Sequence, residues 1–564
     1  MKNFARCIAL LLVLICAAPL ATAQTRADAE KDPVLKAMLA ELDRSAAKLK
    51  LENFPVPFFI QYTLDDSEQY DASAQYGALV YDAPNHERRI HVVIRVGNAK
   101  TDSSSPNGDG YVTTVAFEDD PVAIRTALWW ASDNAYKYAL REYSRKLSVL
   151  KQLQTPPQAD DFSVEKPVIH LEEVRHLSYD SAFWTAEVTR LSGLYRTAPI
   201  LKAAAQAGVS VVDTRAIQHS SAQFSARAST RYIVNSEGTI LRKSFTEYRE
   251  GFNVDGQARD GMEIDRSIST TGATVAELES SEVFGKRAWV SLIQFNTLLS
   301  APIVTEEYHG PVLFTGEASA SVFSALFVPG ILASRPEPGT EVRTNGPYAS
   351  SLHTRVMPLG FDVVDDPLQT SYKGKSLLGA YAVDDEGVAA KSVKVVTAGK
   401  LEGYLMDRQP IRDFPSSNGH GRAGSGGSQR ASLGVLRILP REGISEEQLQ
   451  ARLQKAIEDN GLDHGYIVEG AGNNLAPDLL YRMDAKGNKI LVRGAALDDL
   501  DQRALRSGIL AAGSELTVNN ETGDVPTTML TPEILFGDVT VKRAADRNNK
   551  LPYYPSPIEE AETK

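Results

Sequence analysis

The histidines are the residues of this chain best suited to hold a metal, and their spacing does not suit a compact site. A hydrolytic zinc ion needs at least three fixed ligands and a base beside the metal-bound water. No two of the histidines lie three or four residues apart, so no pair can share one face of a helix as ligands. The nine histidines are His86, His91, His170, His176, His219, His309, His353, His420 and His464.

One short segment brings carboxylates and an imidazole close together along the chain. It reads Glu306-Glu-Tyr-His309, and the side chains of Glu306 and His309 are candidate metal ligands that a distant His353 or His420 would have to complete. The same residues also suit a loop of solvated charges before a strand, which is the commoner role of such side chains. The sequence leaves both readings open.

A glycine-rich segment offers a different chemistry, the binding of a carboxylate or of a peptide backbone. Residues 417–428 read Ser-Asn-Gly-His-Gly-Arg-Ala-Gly-Ser-Gly-Gly-Ser, which combines free backbone amides with one guanidinium. The segment lacks the Gly-Lys-Ser/Thr ending of a phosphate loop. We therefore predict that Asn418, Gly419, His420 and Arg422 line a substrate cleft, with a flexible surface loop as the alternative.

Serine and calcium chemistry find no support in the sequence. There is no Gly-x-Ser-x-Gly elbow, and the serines at 319, 321 and 324 have no neighbouring base, so they indicate close helix packing. The acidic run Asp384-Asp-Glu-Gly387 lacks the alternating ligand pattern of a calcium loop. It predicts a hairpin turn.

The first 23 residues have the pattern of a cleavable signal peptide. Lys2 and Arg6 precede an apolar stretch, and Ala21-Thr-Ala23 supplies the small residues of a cleavage site. We therefore expect export to the periplasm or the extracellular space. Cleavage would remove Cys7 and Cys16, so the mature chain would contain no thiol for disulfides, zinc binding or catalysis.

Composition restricts the partners of the exported chain. Its formal net charge is −12, and loss of the signal peptide makes it −14. A negative chain without a basic block is a poor binder of nucleic acid. The most apolar later segment, residues 322–333, is far shorter than the roughly 20 residues of a membrane-spanning helix, so we expect no integral membrane segment.

The candidate residues must be positioned by a mixed α/β fold of two or three domains, because the hydrophobic pattern alternates between helical and strand periods. It predicts helices over 24–50, from Asp120 onward, over 179–207, over 275–299 and, with a Ser445/Gln448 capping box, up to Gly461. Strands are predicted over 57–96, with a turn at 82–86, and over 209–269, with a hairpin turn at 235–238. The predicted domain division is signal peptide 1–23, subdomains 24–160 and 161–300, a β-rich domain 301–545 and a tail 546–564.

Several motifs stand in an order that resembles the TldD/PmbA family, whose members carry the label "modulator of DNA gyrase". They are Gly310-Pro-Val-Leu-Phe-Thr-Gly-Glu-Ala-Ser-Ala-Ser-Val-Phe-Ser-Ala-Leu326, Asp384-Asp-Glu-Gly387, Gly399-Lys-Leu-Glu-Gly-Tyr-Leu-Met-Asp-Arg408 and Ser417-Asn-Gly-His-Gly-Arg422. The Asn235-Ser-Glu-Gly238 turn is also similar. The resemblance covers residues 55 to 543, and the negative charge and expected export argue against contact with gyrase itself.

The resemblance implies a peptidase fold in which an N-terminal sheet-and-helix region packs on a C-terminal β-rich domain and paired subunits enclose the active site. In the family's active branch, the helix equivalent to Glu317–Leu326 carries His-Glu-x-x-x-His, and a C-terminal cysteine adds a zinc ligand. This chain has no histidine in that helix. We expect Glu317 to be a helix-start carboxylate at the cleft, stabilised by the helix dipole. We expect no cofactor on this chain, and zinc only through a partner or a relocated site.

Three functional hypotheses follow from this combination. The first is a non-catalytic subunit that forms a peptide-binding cleft with a zinc-bearing TldD-like paralogue, in a homo- or hetero-oligomer. The second is a self-sufficient metallopeptidase whose ligands have moved to positions such as Glu306, His309 or His420. The third is a periplasmic protein that binds or scaffolds peptides without a partner enzyme. We favour the first, with a peptide or unfolded polypeptide as the substrate.

Overall fold

The molecule combines helices with two large sheets, in the mixed α+β architecture that the sequence predicts. The computed structural model describes residues 24–105, 108–153, 157–196, 216–472 and 475–545. The predicted signal peptide and tail lie outside the described residues. So does the part of the helix predicted over 179–207 that follows residue 196.

The N-terminal sheet has eight strands in the order β3-β2-β1-β6-β7-β5, with β4 beside β2 and β8 beside β7. The strands are β1 Pro57–Gln75, β2 Ala78–Asn98, β3 Thr101–Asp102, β4 Tyr111–Thr114, β5 Ile169–Leu171, β6 Ile217–Asn235, β7 Ile240–Gln257 and β8 Glu263–Gly272. Because β1 pairs with β6 along most of its length, the predicted subdomains 24–160 and 161–300 share one continuous sheet.

The turn predicted at residues 82–86 is wrong. The chain turns earlier, at Tyr76 and Gly77, and residues 82–86 lie inside β2, where Pro84 stands opposite Tyr70 of β1. Proline is tolerated there because this part of β2 is paired with β1 on one side and the missing N–H faces away from the ladder. The predicted hairpin turn at 235–238 is confirmed, with Gly238 at φ +103° and Asn235 Oδ1 accepting from the amides of Glu237 and Thr239.

Helices cover one face of the N-terminal sheet. Because side chains alternate between the two faces of a strand, every second residue meets these helices. Ile60, Tyr62 and Leu64 of β1 pack with the helices near the N-terminus, and Tyr70, Ala72 and Ala74, on the same face further along, pack with a second pair of helices. The intervening odd-numbered residues of β1 therefore point to the other face. That face meets the C-terminal domain.

The helix predicted from Asp120 onward is confirmed. Asp120 caps it by accepting from the amide of Ala123 at 2.7 Å, and Pro121 occupies its first turn. Tyr136 and Leu140 are buried. The helices are α1 Arg26–Ala29, α2 Pro33–Lys48, α3 Pro121–Leu150, α4 Ser181–Ser192, α5 Ser281–Ser300, α6 Gly316–Leu326, α7 Val328–Ile331, α8 Glu446–Asp459 and α9 Gln502–Ser507, with 3-10 turns at Leu194–Arg196 and Val275–Glu277.

The C-terminal domain is built on an eleven-stranded sheet with the order β14-β13-β10-β17-β23-β9-β18-β19-β20, and β21 and β22 beside β23. Its first strand begins at Tyr308, close to the predicted domain start at residue 301. The strands from here on are β9 Tyr308–Thr315, β10 Phe361–Asp365, β11 Ser371–Tyr372, β12 Lys375–Ser376, β13 Val393–Thr397, β14 Lys400–Leu401, β15 Gly421–Arg422, β16 Arg430–Ala431, β17 Val435–Pro440, β18 His464–Glu469, β19 Leu480–Asp484, β20 Lys489–Val492, β21 Ala495–Asp498, β22 Ile509–Glu521 and β23 Thr527–Arg543.

No helix in the described ranges is both long and apolar enough to cross a membrane.

The capping box predicted for α8 is present and should contribute measurably to local stability. Ser445 Oγ accepts from the Gln448 amide, and the Gln448 side chain accepts from the Ser445 amide. Ser445→Ala should lose about 1 kcal/mol, which is about a fivefold faster hydrogen exchange of α8 amides, while Ser445→Asp should keep the cap. Exchange mass spectrometry of residues 446–459 measures this, with Arg452→Ala as the mid-helix control. Equal exchange in all variants would contradict the role of the cap.

Candidate functional site

A buried arginine joins the two sheets. Arg408 is 1% exposed, and its guanidinium donates to Glu237, at the turn between β6 and β7, at 2.8 and 2.9 Å. It also donates to the backbone carbonyl of Ser163 and stacks on the Phe162 ring at 3.9 Å. The amide of Arg408 donates to Glu386 at 2.6 Å. One residue of the C-terminal domain therefore holds both a turn and a connecting segment of the N-terminal region.

The acidic run Asp384–Gly387 forms a turn, as predicted. The turn is buried in the contact between the two domains, which we call the seam and which also includes Arg408. Asp384 Oδ1 accepts from the amides of Glu386 and Val388, and Oδ2 accepts from the amide of Gly421 at 2.9 Å. Gly421 is required there, since a Cβ would approach Glu386 Oε2 to 2.2 Å. The turn therefore fixes the start of the glycine-rich segment.

Asp385 extends from this turn to the cations of the N-terminal sheet. Lys243 contacts its Oδ1 at 2.6 Å and Arg231 its Oδ2 at 2.8 Å, while Arg231 also pairs with Asp65. Asp65, Arg231 and Lys243 are neighbours on three adjacent strands, because Asp65 stands opposite Arg231 and Arg231 opposite Lys243. Burial alone would raise the pKa of Asp385, but Lys243, Arg231 and Arg422 outweigh burial and hold the pKa well below its ordinary value.

Three other carboxyls of the seam are shifted in the opposite direction. Burial raises the pKa of Asp384 to about 7, with a smaller contribution from Glu386. Burial and the neighbouring Asp407 raise the pKa of Glu386 to about 8, and burial raises the pKa of Asp407 to about 7. These groups hold protons near neutral pH because the seam excludes water. The seam therefore contains one ionised carboxylate, Asp385, and three carboxyls that hold protons near neutral pH.

The predicted cleft residues of segment 417–422 separate into two environments. Asn418 binds backbone, since its Oδ1 accepts from the Met406 amide and its Nδ2 donates to the Tyr404 carbonyl. His420 is fully buried, with Nδ1 3.0 Å from Asn418 Oδ1 and Nε2 3.3 Å from Asp365 Oδ1. Gly419, at φ +79°, has a backbone carbonyl that accepts from the Tyr381 hydroxyl. These three residues hold the segment in place.

Arg422 instead lines an open cleft between the two domains. The cleft encloses about 950 Å³ of empty space, part of it open to solvent. Its floor is one face of the N-terminal sheet, where Gln69, Ser67, Arg227, Ser229, Arg231, Lys243 and Phe245 alternate with inward-facing residues along β1, β6 and β7. Its other wall belongs to the C-terminal domain and includes Leu378, Tyr381, Asp385, Arg422, Ser425 and Pro526.

The helix expected at Glu317–Leu326 is present as α6, and its side chains do not fit a zinc ion. Glu317 lies exposed in the first turn. Ser319 Oγ donates to the carbonyl of Pro532 at 2.6 Å, and Ser321 Oγ donates to that of Ala471 at 2.7 Å. Hydroxyls bound to backbone carbonyls and a single carboxylate do not form the nitrogen-rich set that zinc requires.

The relocated ligand set is not brought together either. His309 is exposed on β9 and contacts Glu307 and Thr540, Glu306 is exposed beside it, and His420 is buried at Asp365. Within the described part of the chain, no group of three or more His, Cys, Asp or Glu side chains is arranged to hold a metal.

The sequence predictions missed the sheet face that forms the floor of the cleft. Arg227, Ser229 and Arg231 alternate with Ala226, Ala228 and Thr230 in β6. This alternation was a usable signal, because it marks a strand with one apolar and one polar face. The turn at Asp384–Gly387 was identified, but its burial against a second domain could not be read from local spacing.

Comparisons with known proteins agree with this architecture. Residues 305–543 match the family model described as the PmbA/TldA metallopeptidase C-terminal domain. The fold is similar to TldE from Thermococcus kodakarensis, with a TM-score of 0.57 and 15% identity over 90% of this chain and 100% of that one. No curated protein sequence matches the chain.

Two bacterial structures share the fold as well. A protein from Thermotoga maritima described as a candidate modulator of a DNA gyrase has a TM-score of 0.56 and 15% identity, over 86% of this chain and 96% of that one. A protein from Bacteroides thetaiotaomicron with a similar description has a TM-score of 0.53 and 13% identity, over 92% and 99%. At these identities the likeness establishes the fold.

The protonated carboxyls of the seam predict that the folded chain loses stability as the pH rises. A carboxyl whose pKa is raised on folding stabilises fully below its unfolded pKa of about 4 and loses that contribution as the pH passes its folded pKa. With Glu386 at about 8, Glu386→Gln should reduce the pH dependence of stability between about pH 5 and 8 by about one proton. Urea denaturation across this range measures the slope.

The exposed Glu458→Gln on α8 is the matched control and should leave the slope unchanged. A Glu386→Gln protein with the slope of the parent chain would show that Glu386 is ionised in the fold.

Proposed function

We propose that this chain, whose residues 305–543 match the PmbA/TldA metallopeptidase C-terminal domain and whose fold is similar to that of TldE, is a non-catalytic subunit of a peptidase assembly of the TldD/PmbA type. In this proposal it binds a peptide or unfolded polypeptide and pairs with a zinc-bearing paralogue that performs the hydrolysis. The resemblance to the family supports a peptidase-related fold. The side chains of α6 and of the cleft support a subunit that binds peptide without hydrolysing it.

The observation that carries the proposal is the chemistry of α6. Hydrolysis by a zinc ion requires ligands in fixed positions and an open site for the attacking water. At α6 the residues available for these roles are an exposed glutamate and serines whose hydroxyls are engaged by Pro532 and Ala471. The helix is therefore suited to packing within its own domain. Catalysis is left to another chain.

The cleft between the two domains supports the peptide-binding half of the proposal. It combines the flat, polar face of a sheet with apolar side chains such as Phe245, Leu378 and Pro526. Carboxylates such as Glu87 and Glu172 lie among the cations that line it. This mixture suits a peptide, which presents charges of both signs, backbone amides and apolar side chains. It does not suit nucleic acid, which requires a basic surface.

We also propose that the chain works outside the cytoplasm. The support is the signal pattern of residues 1–23 and the absence of cysteine after residue 23 in the sequence. The mass of the protein recovered from the periplasmic or culture fraction of a bacterial host tests this. Cleavage after Ala23 is expected, and an uncleaved cytoplasmic protein would contradict it.

The metal content of the purified chain tests the absence of catalysis by this subunit. The chain, purified without chelators, should hold far less than one zinc per molecule and should not cleave unfolded peptides, because α6 offers no ligand set. Mass spectrometry for metals and a fluorogenic peptide assay measure both. One zinc per chain would contradict the proposal. His309→Ala and His420→Ala variants would then show whether the relocated ligand set holds it.

The partner is tested separately by native purification from the source cells. A zinc-bearing protein with the His-Glu-x-x-x-His motif should be recovered with the chain, and peptidase activity should follow that partner. A homodimer that cleaves peptides would favour the self-sufficient enzyme. An inactive chain without a partner would favour the peptide-binding or scaffolding alternative.

A further inference from the structure

We propose that the cleft holds a peptide by its C-terminal carboxylate, and that Arg422 is the residue that binds this group. The inference rests on the proposed peptide-binding function and specifies which part of the peptide is recognised. It concerns a cleft built by the two domains of one chain, so it can be tested without the partner.

Arg422 is a buried cation with hydrogen-bonding capacity left over. It is 9% exposed, and its Nη1 donates to the backbone carbonyls of Leu433 at 3.0 Å and Pro526 at 2.5 Å. Its Nε–H is buried and has no hydrogen-bond partner in the described part of the chain. Within that part, no carboxylate forms an ion pair with Arg422, whereas Arg227, Arg231 and Lys243 of the same cleft each have one. A guanidinium without a carboxylate partner in its own chain can take one from a ligand.

The buried carboxylates beside Arg422 are already engaged by other cations. Asp65 and Asp385 face three cations, Arg231, Lys243 and Arg422. Both oxygens of Asp385 are already used, Oδ1 by Lys243 and Oδ2 by Arg231 and the Ala423 amide. Asp385 lowers the potential at Arg422 without bonding to it.

The guanidinium is held ready for such a ligand. The Tyr381 ring lies 4.7 Å from its central carbon, and the Tyr381 hydroxyl donates to the Gly419 carbonyl, which fixes the ring. With Nη1 engaged by two carbonyls and Nε enclosed by the protein, Nη2 is the nitrogen left to meet a carboxylate. A preorganised arginine loses little side-chain entropy when it binds.

The surroundings favour a peptide terminus over a phosphate. Glu87, Glu172 and Asp524 also line the cleft and would repel a group with two negative charges. Phe245, Leu378 and Pro526 offer apolar contact for the last side chain of a peptide. A single carboxylate followed by an apolar residue therefore matches the site. A free inorganic phosphate should compete weakly.

The test compares peptides that end in a carboxylate with the same peptides ending in an amide. Fluorescein-labelled, alanine-rich peptides ending in Phe, Leu or Ala are titrated with the purified chain and followed by fluorescence anisotropy. We expect at least about tenfold tighter binding of the free acids, which corresponds to about 1.4 kcal/mol. Arg422→Gln should reduce the affinity for the acids to that for the amides and leave the amides unchanged.

Arg430→Gln is the matched control, because Arg430 is exposed and stands opposite Arg422 on the paired strand β16. It should keep the preference for the acids. Equal binding of acids and amides by the parent chain would overturn the inference and leave peptide binding intact. Failure of every peptide to bind would overturn the proposed function as well. The parent chain decides the matter alone if Arg422→Gln fails to fold.

Discussion

The burial of charge between the two sheets is the constraint on which the rest of this structure depends. An ionised side chain removed from water costs several kcal/mol unless partners replace its hydration. Arg408 meets this cost with Glu237, the Ser163 carbonyl and the Phe162 ring, and Asp385 meets it with Lys243 and Arg231. Each partner comes from the opposite domain. The seam is therefore complete only when the sheet and the Asp384–Gly387 turn stand in one relative position, and this position also defines the cleft.

The cleft follows from the period of a β-strand. Asp65, Arg231 and Lys243 form one lateral row across β1, β6 and β7, and the next rows on the same face are Ser67, Ser229 and Phe245 and then Gln69, Arg227 and Glu247. The opposite face is apolar and covered by helices. The strands that carry the seam charges therefore continue as the cleft floor. A substrate surface of this kind does not depend on α6, which is consistent with a chain that binds peptide while another chain holds the metal.

The sequence predicts the parts of this molecule that depend on local interactions. The caps of α3 and α8 and the Asn235–Gly238 turn are specified by a few adjacent residues, and each was predicted correctly. The turn expected at 82–86 fails because an edge strand tolerates Pro84, and edge position is a tertiary property. For the same reason the roles within segment 417–422 could not be separated: His420 and Arg422 are two residues apart, yet one is enclosed at Asp365 and the other lines the cleft. Only the packing of the second domain makes this distinction.

The seam and the cleft show two solutions to the same electrostatic problem. Asp384, Glu386 and Asp407 can become neutral, and burial raises the pKa of each toward or above neutral pH so that a proton replaces the missing cation. Arg422 has no such option, because a guanidinium stays charged at any physiological pH. Its charge is met by carbonyls, by the Tyr381 ring and, in the proposed complex, by the carboxylate of a peptide. An arginine that is buried, immobilised and incompletely paired beside an open cleft is more economically explained by a ligand than by the stability of the fold, since an apolar residue could fill the same space without a charge to compensate.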